Sequence, residues 1–68
     1  MNRTIELNGA HRTTEARTLA ELLLSLGRAE RAGVAVARND EVVPRGRWAS
    51  TPVEAGDVIE IVEATQGG

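Results

Sequence analysis

Sixty-eight residues with eight basic and ten acidic side chains and a net charge of −2 make one small domain; a chain of this size buries only about 60% of its unfolded surface, leaving little room for both a core and an internal catalytic cleft. The two signs are scattered, which argues against nucleic acid because there is no basic stripe to follow a phosphate backbone. All eight basic residues are Arg and there is no cysteine: lysine-based Schiff bases and self-conjugation are excluded, as are disulfides and the carriage of sulfur as a persulfide on this chain.

In chain order, Thr4-Ile5-Glu6-Leu7 alternates polar and apolar residues and meets Asn8-Gly9, the dipeptide suited to the two positive φ angles of a type I′ hairpin turn. A polar second strand through about Thr14 follows, placed at or near a sheet edge. His11 lies in it as the only histidine. Without cysteine it has no partners for a typical zinc site, so no metal is expected. Thr18-Leu19-Ala20-Glu21 has the form of a capping box and opens a helix. Leu19, Leu22, Leu23 and Leu26 make one apolar stripe at helical spacing, and Gly27 is placed to end the helix. Nothing in residues 1–25 has signal-peptide character, and Leu22–Leu24 is far too short to span a membrane. A soluble, cytoplasmic protein without a membrane partner is expected.

Arg28–Ala32 reads as a polar connection. Gly33-Val34-Ala35-Val36-Ala37 is apolar on both sides and suits a central strand flanked on both edges. Asn39-Asp40-Glu41 turns the chain, Val42-Val43 restarts an extended segment, and Pro44 ends or edges it. Arg45-Gly46-Arg47-Trp48 is expected to be irregular, with Trp48, the sole aromatic residue, packed over the end of the core. Glu54–Asp57 is a turn signal before the last strand, Val58–Val62. The order is strand, strand, helix, strand, short strand, strand. It describes an α+β layer pair over residues 1–63 that a β-grasp arrangement fits, with a mixed sheet of four to five strands, one main helix across it and the last strand placed centrally beside the first, a pairing order that periodicity itself does not show.

Residues 64–68 are read as a flexible tail ending in Gly67-Gly68. Two glycines pass through a slot too narrow for any side chain. About four residues at 3.3 to 3.6 Å each reach roughly 13 Å, enough to deliver a terminal carboxylate into another protein's active site. No catalytic residues are assigned: Ser25 or Ser50 with His11 and a carboxylate spells a triad on paper, but nothing in their setting supports one. On the last strand Ile59 and Ile61 share one face and Val58, Glu60 and Val62 the other. With the Ile pair on the helix stripe, Val58 and Val62 lie exposed beside the tail as a docking surface, to which Glu60 and Glu63 add charge complementarity.

Gly33–Ala37, Val42-Val43-Pro44-Arg45, Trp48, Gly56-Asp57, Ile59, Ile61-Val62 and Gly67-Gly68 together resemble the bacterial ThiS family, the sulfur carriers of thiamine biosynthesis. The most specific part is Val43-Pro44-Arg45 followed by Trp48, then Gly56-Asp57 ahead of the diglycine end. The resemblance implies a ubiquitin-like fold and a carrier that acts as co-substrate rather than enzyme. An E1-like adenylating enzyme uses ATP to activate the terminal carboxylate. A sulfur donor, a cysteine desulfurase or rhodanese-like protein bearing a persulfide, then displaces AMP. The resulting thiocarboxylate, a 1-thioglycine at Gly68, is delivered to thiazole synthase. By position Gly68 is the residue adenylated and thiolated, Gly67 is the slender approach to it, and no cofactor is bound by the chain itself. Ala64-Thr65-Gln66 departs from the family, where more apolar residues and sometimes a third glycine are usual. The residue chemistry agrees: a carboxylate is a poor electrophile until made a mixed anhydride, and its carrier needs no base, metal or phosphate-cradling loop. Three other readings stand beside this one. They are the small subunit of molybdopterin synthase, usually longer and without the Val-Pro-Arg and Trp signature; a ubiquitin-like modifier of target lysines; and a non-covalent interaction module with an incidental tail.

Overall fold

The computed structural model describes residues 2–64. Strands β1 (Arg3–Leu7) and β2 (Ala10–Thr14) precede helix α1 (Leu19–Ser25); β3 (Val34–Arg38), β4 (Glu41–Val43), a 3₁₀ helix (Arg45–Ser50) and β5 (Val58–Glu63) follow. The sheet order is β2-β1-β5-β3-β4. β5 runs parallel to β1 and antiparallel to β3, so the last strand is central beside the first, as a β-grasp arrangement requires. The polar β2 is an edge strand, and β3 is flanked on both sides.

Local chemistry accounts for these elements. Leu7 pairs with Ala10 across a two-residue turn in which Asn8 and Gly9 hold φ angles of 51° and 86°. Arg38 pairs with Glu41 in the same way, with Asn39 and Asp40 at 52° and 70°, so Glu41 belongs to β4 rather than to the turn. The Thr18 hydroxyl accepts from the Glu21 N–H at 3.2 Å, and the Glu21 carboxylate reaches back to the Arg17 N–H at 2.7 Å. At the other end Gly27, at φ 74°, donates to Leu24 O and Arg28 donates to Leu23 O. These paired bonds are those of a Schellman cap, which a left-handed glycine makes possible.

Ile5, Val36, Ile59 and Ile61 from the sheet form one buried cluster with Leu19, Leu22 and Leu23 of α1 and with Val53 and Trp48. Each Leu→Ala change in such a cluster costs about 2–5 kcal/mol. Leu24 is off the predicted stripe and exposed. One expectation needs correction. The segment expected to be irregular is a 3₁₀ helix: Pro44 sets φ at −60° before it, Arg47 N–H bonds to Pro44 O at 2.8 Å, and the Thr51 hydroxyl caps Arg47 O at 2.7 Å. Its three-residue repeat leaves no helical stripe to read. Trp48 within it is buried, with Nε1 donating to Val43 O at 2.9 Å, as a lid on the core should be. β3 is flanked on both edges as expected, and of its two apolar sides the Val36 side is in the core while Ala35 is exposed.

Asp57 is the one buried charged residue among those described. Its carboxylate accepts from Glu54 N–H at 2.9 Å, Arg38 Nε at 2.8 Å and Asn39 Nδ2 at 3.1 Å. Burial alone pushes its pKa up; the bonds from the Glu54 backbone, Arg38 and Asn39, with the Arg38 charge, outweigh this and hold it below the ordinary carboxylate value. The folded state therefore binds this proton more weakly than the unfolded chain. The stabilisation is complete above the unfolded value near pH 4 and is lost as pH falls through the lower folded value. Asp57→Ala should cost about 3 kcal/mol at neutral pH by leaving these donors unpaired. Urea denaturation from pH 7 to pH 2 should show that gap closing in acid; a gap independent of pH would contradict the role given to the carboxylate.

Candidate functional site at the end of the central strand

β5 carries the chain from the centre of the sheet to Glu63 and Ala64, and side-chain amides brace it at its start and its middle. β1 pairs with β5 only at Glu6↔Val58 and Leu7↔Ile59 before it turns away. Asn8 then continues the ladder: its N–H donates to Ile59 O at 3.0 Å, its Oδ1 accepts from Ile61 N–H at 2.8 Å, and its Nδ2 donates to Ile61 O at 3.2 Å. At the start of the strand Asn39 Oδ1 accepts from Val58 N–H at 2.8 Å. An amide offers a donor and an acceptor as a peptide does, so it extends pairing where backbone is missing.

At the far end β5 stays paired with β3 through Val34↔Glu63. Ala64 N–H then donates to Gly33 O at 2.9 Å. Ala64, assigned to the tail from sequence, is thus tied to the domain. A Cβ on Gly33 would stand 3.1 Å from Ala64 O, and Gly33 has φ 79°, so the site requires glycine twice over. The Glu63 carboxylate pairs with Arg31 at 3.0 Å and with Arg28 at 3.9 Å. Gly67 and Gly68, the predicted reacting end, lie outside the described residues.

Of the four predicted docking residues the structure brings three together. Val58, Glu60 and Val62 alternate to the sheet face away from α1, while Ile59 and Ile61 are buried beneath it. Glu63 shares the side of the Ile pair and is engaged with Arg28 and Arg31, so it is no neighbour of Glu60 on that face. Val62 is 63% exposed and Val42 72%, unusual values for apolar strand residues. Between them Ala35, Ala37, Glu60 and Gly9 line an open groove of about 560 Å³. Val58 pairs with Glu6, which puts a second carboxylate on the face. Its character is therefore apolar with acidic margins, a common composition for a recognition surface.

Side-chain chemistry elsewhere is engaged locally. The Ser25 hydroxyl donates to Leu22 O and that of Ser50 to Arg47 O, while His11 stands on edge strand β2 opposite Glu6. Among the described residues no group of three His, Cys, Asp or Glu is placed to hold a metal ion, and no helix is long and apolar enough to cross a membrane.

Known proteins place this arrangement. The model of the ThiS family matches residues 1–68. The chain belongs to the ThiS family. It is 42% identical over 62 residues to a protein of Thermus thermophilus named sulfur carrier protein ThiS, an alignment covering 91% of this chain and 95% of that one. The crystal structure of the thiamine biosynthesis protein ThiS from Geobacter metallireducens superposes with a TM-score of 0.79 at 32% identity, covering 100% of both chains. A solution NMR structure of a thiamine biosynthesis protein from the same organism gives 0.76 at 32% identity, covering 100% of this chain and 88% of that one. The five-stranded mixed sheet with one main helix is thus the β-grasp fold of ThiS proteins.

Sequence reasoning missed Asn8, Asn39, Arg31 and Gly33 as determinants of this strand end. Asn8 and Asn39 were visible as turn residues, but their bonds to β5 span 53 and 19 residues and need the sheet order to be known. The two-faced reading of β5 is open to a stability test. Val62→Arg should change unfolding free energy by less than about 0.5 kcal/mol, whereas Ile61→Ala should cost about 2–4 kcal/mol. Equal losses in urea titrations would mean that both faces are covered.

Proposed function

We propose that the chain is a cytoplasmic sulfur carrier of thiamine biosynthesis whose Gly68 carboxylate is the cargo site. Family membership across residues 1–68 carries the reading, and the central strand that delivers its anchored end beside an exposed apolar face supports it. An E1-like adenylating enzyme converts the carboxylate to an acyl adenylate with release of pyrophosphate from ATP. A persulfide sulfur on the donor, a cysteine desulfurase or rhodanese-like protein, attacks the activated carbonyl and AMP leaves. A thiol then cleaves the acyl disulfide, leaving the thiocarboxylate that thiazole synthase consumes. This chain acts as co-substrate: it supplies a reachable end and a surface to grip, and the partners supply bases and nucleotide.

Gly67 is the narrow approach, and Val58, Glu60 and Val62 are the face that partners hold. Apolar contact there excludes water, and the carboxylates of Glu60 and Glu6 select a partner surface of opposite charge. Incubation with the adenylating enzyme, ATP and a persulfide donor should exchange one oxygen for sulfur on the C-terminal peptide, read by intact and fragment mass to separate it from oxidation of Met1. Deletion of Gly68 should leave the fold intact and abolish the change. Val62→Arg should lower the rate of adenylation about tenfold or more through KM; an unchanged rate removes the outer face from the docking surface.

A further inference from the structure

The root of the tail, Glu63 and Ala64, is fixed by residues that lie away from the outer face. The loop between α1 and β3 holds Glu63 through Arg31 and Ala64 through Gly33 O. That loop is in turn held from β4's side: Arg45 donates from Nη1 to Ala29 O at 2.7 Å and from Nη2 to Arg31 O at 2.6 Å. The Arg45 guanidinium lies 4.6 Å from the centroid of the Trp48 ring, and Trp48 is buried in the core. One continuous set of contacts therefore runs from the core through Trp48, Arg45 and the loop to Arg31, Glu63 and Ala64.

We propose that Arg45 and Arg31 are positioning residues for activation of the chain end: they fix where the tail leaves β5, and so where its carboxylate can be presented. This rests on the reading of Gly68 as the activated residue. The energetics favour a positioning role over a stabilising one for the outer pair, since exposed ion pairs such as Arg31 with Glu63 add little to folding. Arg45 differs, because only a planar fork satisfies two carbonyls at once while stacking on a ring. Released from the clamp, Glu63 and Ala64 lengthen the tether between the sheet and the carboxylate, and the concentration of the carboxylate at a partner's active site falls with at least the three-halves power of tether length. Loss of direction adds to this, because reacting groups displaced by about 1 Å lose rate steeply.

The test compares Arg31→Ala, Arg31→Lys and Arg45→Lys in the full chain. Steady-state adenylation and the backbone amide order of Glu63 and Ala64 by ¹⁵N relaxation are both measured. Arg31→Ala and Arg45→Lys should lower kcat roughly two- to tenfold with KM unchanged, and should lower the order of those two amides without altering that of β3. Arg31→Lys keeps a single ion-pair contact and should restore both readouts; Arg45→Lys cannot, having lost the fork. Unchanged amide order, or a defect confined to KM, would overturn the proposal. If the unaltered protein is not adenylated at all, the Gly68 reading fails, and the amide measurement alone decides whether the clamp exists.

Discussion

Everything in this molecule depends on β5 being paired on both edges at the centre of the sheet while its residues alternate between two environments. Ile59 and Ile61 are the floor of the core, and Val58, Glu60 and Val62 are its exposed roof. Burial of the Ile pair sets the register, because a slip of one residue would exchange the two faces along the whole strand. Once that register holds, Glu63 falls on the loop side and Ala64 reaches Gly33. Core packing thereby determines where Glu63 and Ala64 leave the sheet.

The parallel pairing of β1 with β5 is short, two residue pairs, and the Asn8 amide lengthens it. The second hairpin braces the start of β5 on its other edge through Asn39, which also joins Arg38 and Glu54 N–H around Asp57. Both turns hold Asn at positive φ, a conformation that asparagine tolerates better than most residues. A single residue type thus closes each hairpin and braces the central strand, tying local turn chemistry to a contact distant in sequence. Small domains have few apolar residues to spend on such bracing, and side-chain amides supply it from the surface.

Much of this architecture was legible because it rests on local patterns. The Asn8-Gly9 hairpin, the Thr18 cap, the leucine stripe, Gly27 and the alternation along β5 each follow from spacing alone, and each is in the structure. The 3₁₀ helix was not legible, since six residues with one buried side chain carry no periodic signal. β3 was legible as a strand flanked on both edges, but its apolar composition did not show that Ala35 and Ala37 line the open groove. Of the site, the outer face followed from alternation, while the position of Glu63 opposite Glu60 was implied by the same alternation and obscured by their nearness in sequence. The Arg45 fork on Ala29 and Arg31 spans 16 and 14 residues and had no local sign.

The function proposed for this ThiS-family chain divides labour between carrier and partners: geometry would belong to the carrier, and bond making to the enzymes. The measurement that tests this division most directly is ATP–pyrophosphate exchange catalysed by the adenylating enzyme in the presence of this chain. Exchange that requires the unaltered chain, and that stops when one alanine is added after Gly68, would establish the Gly68 carboxylate as the activated group. Exchange that continues undiminished with the extended chain would contradict the account.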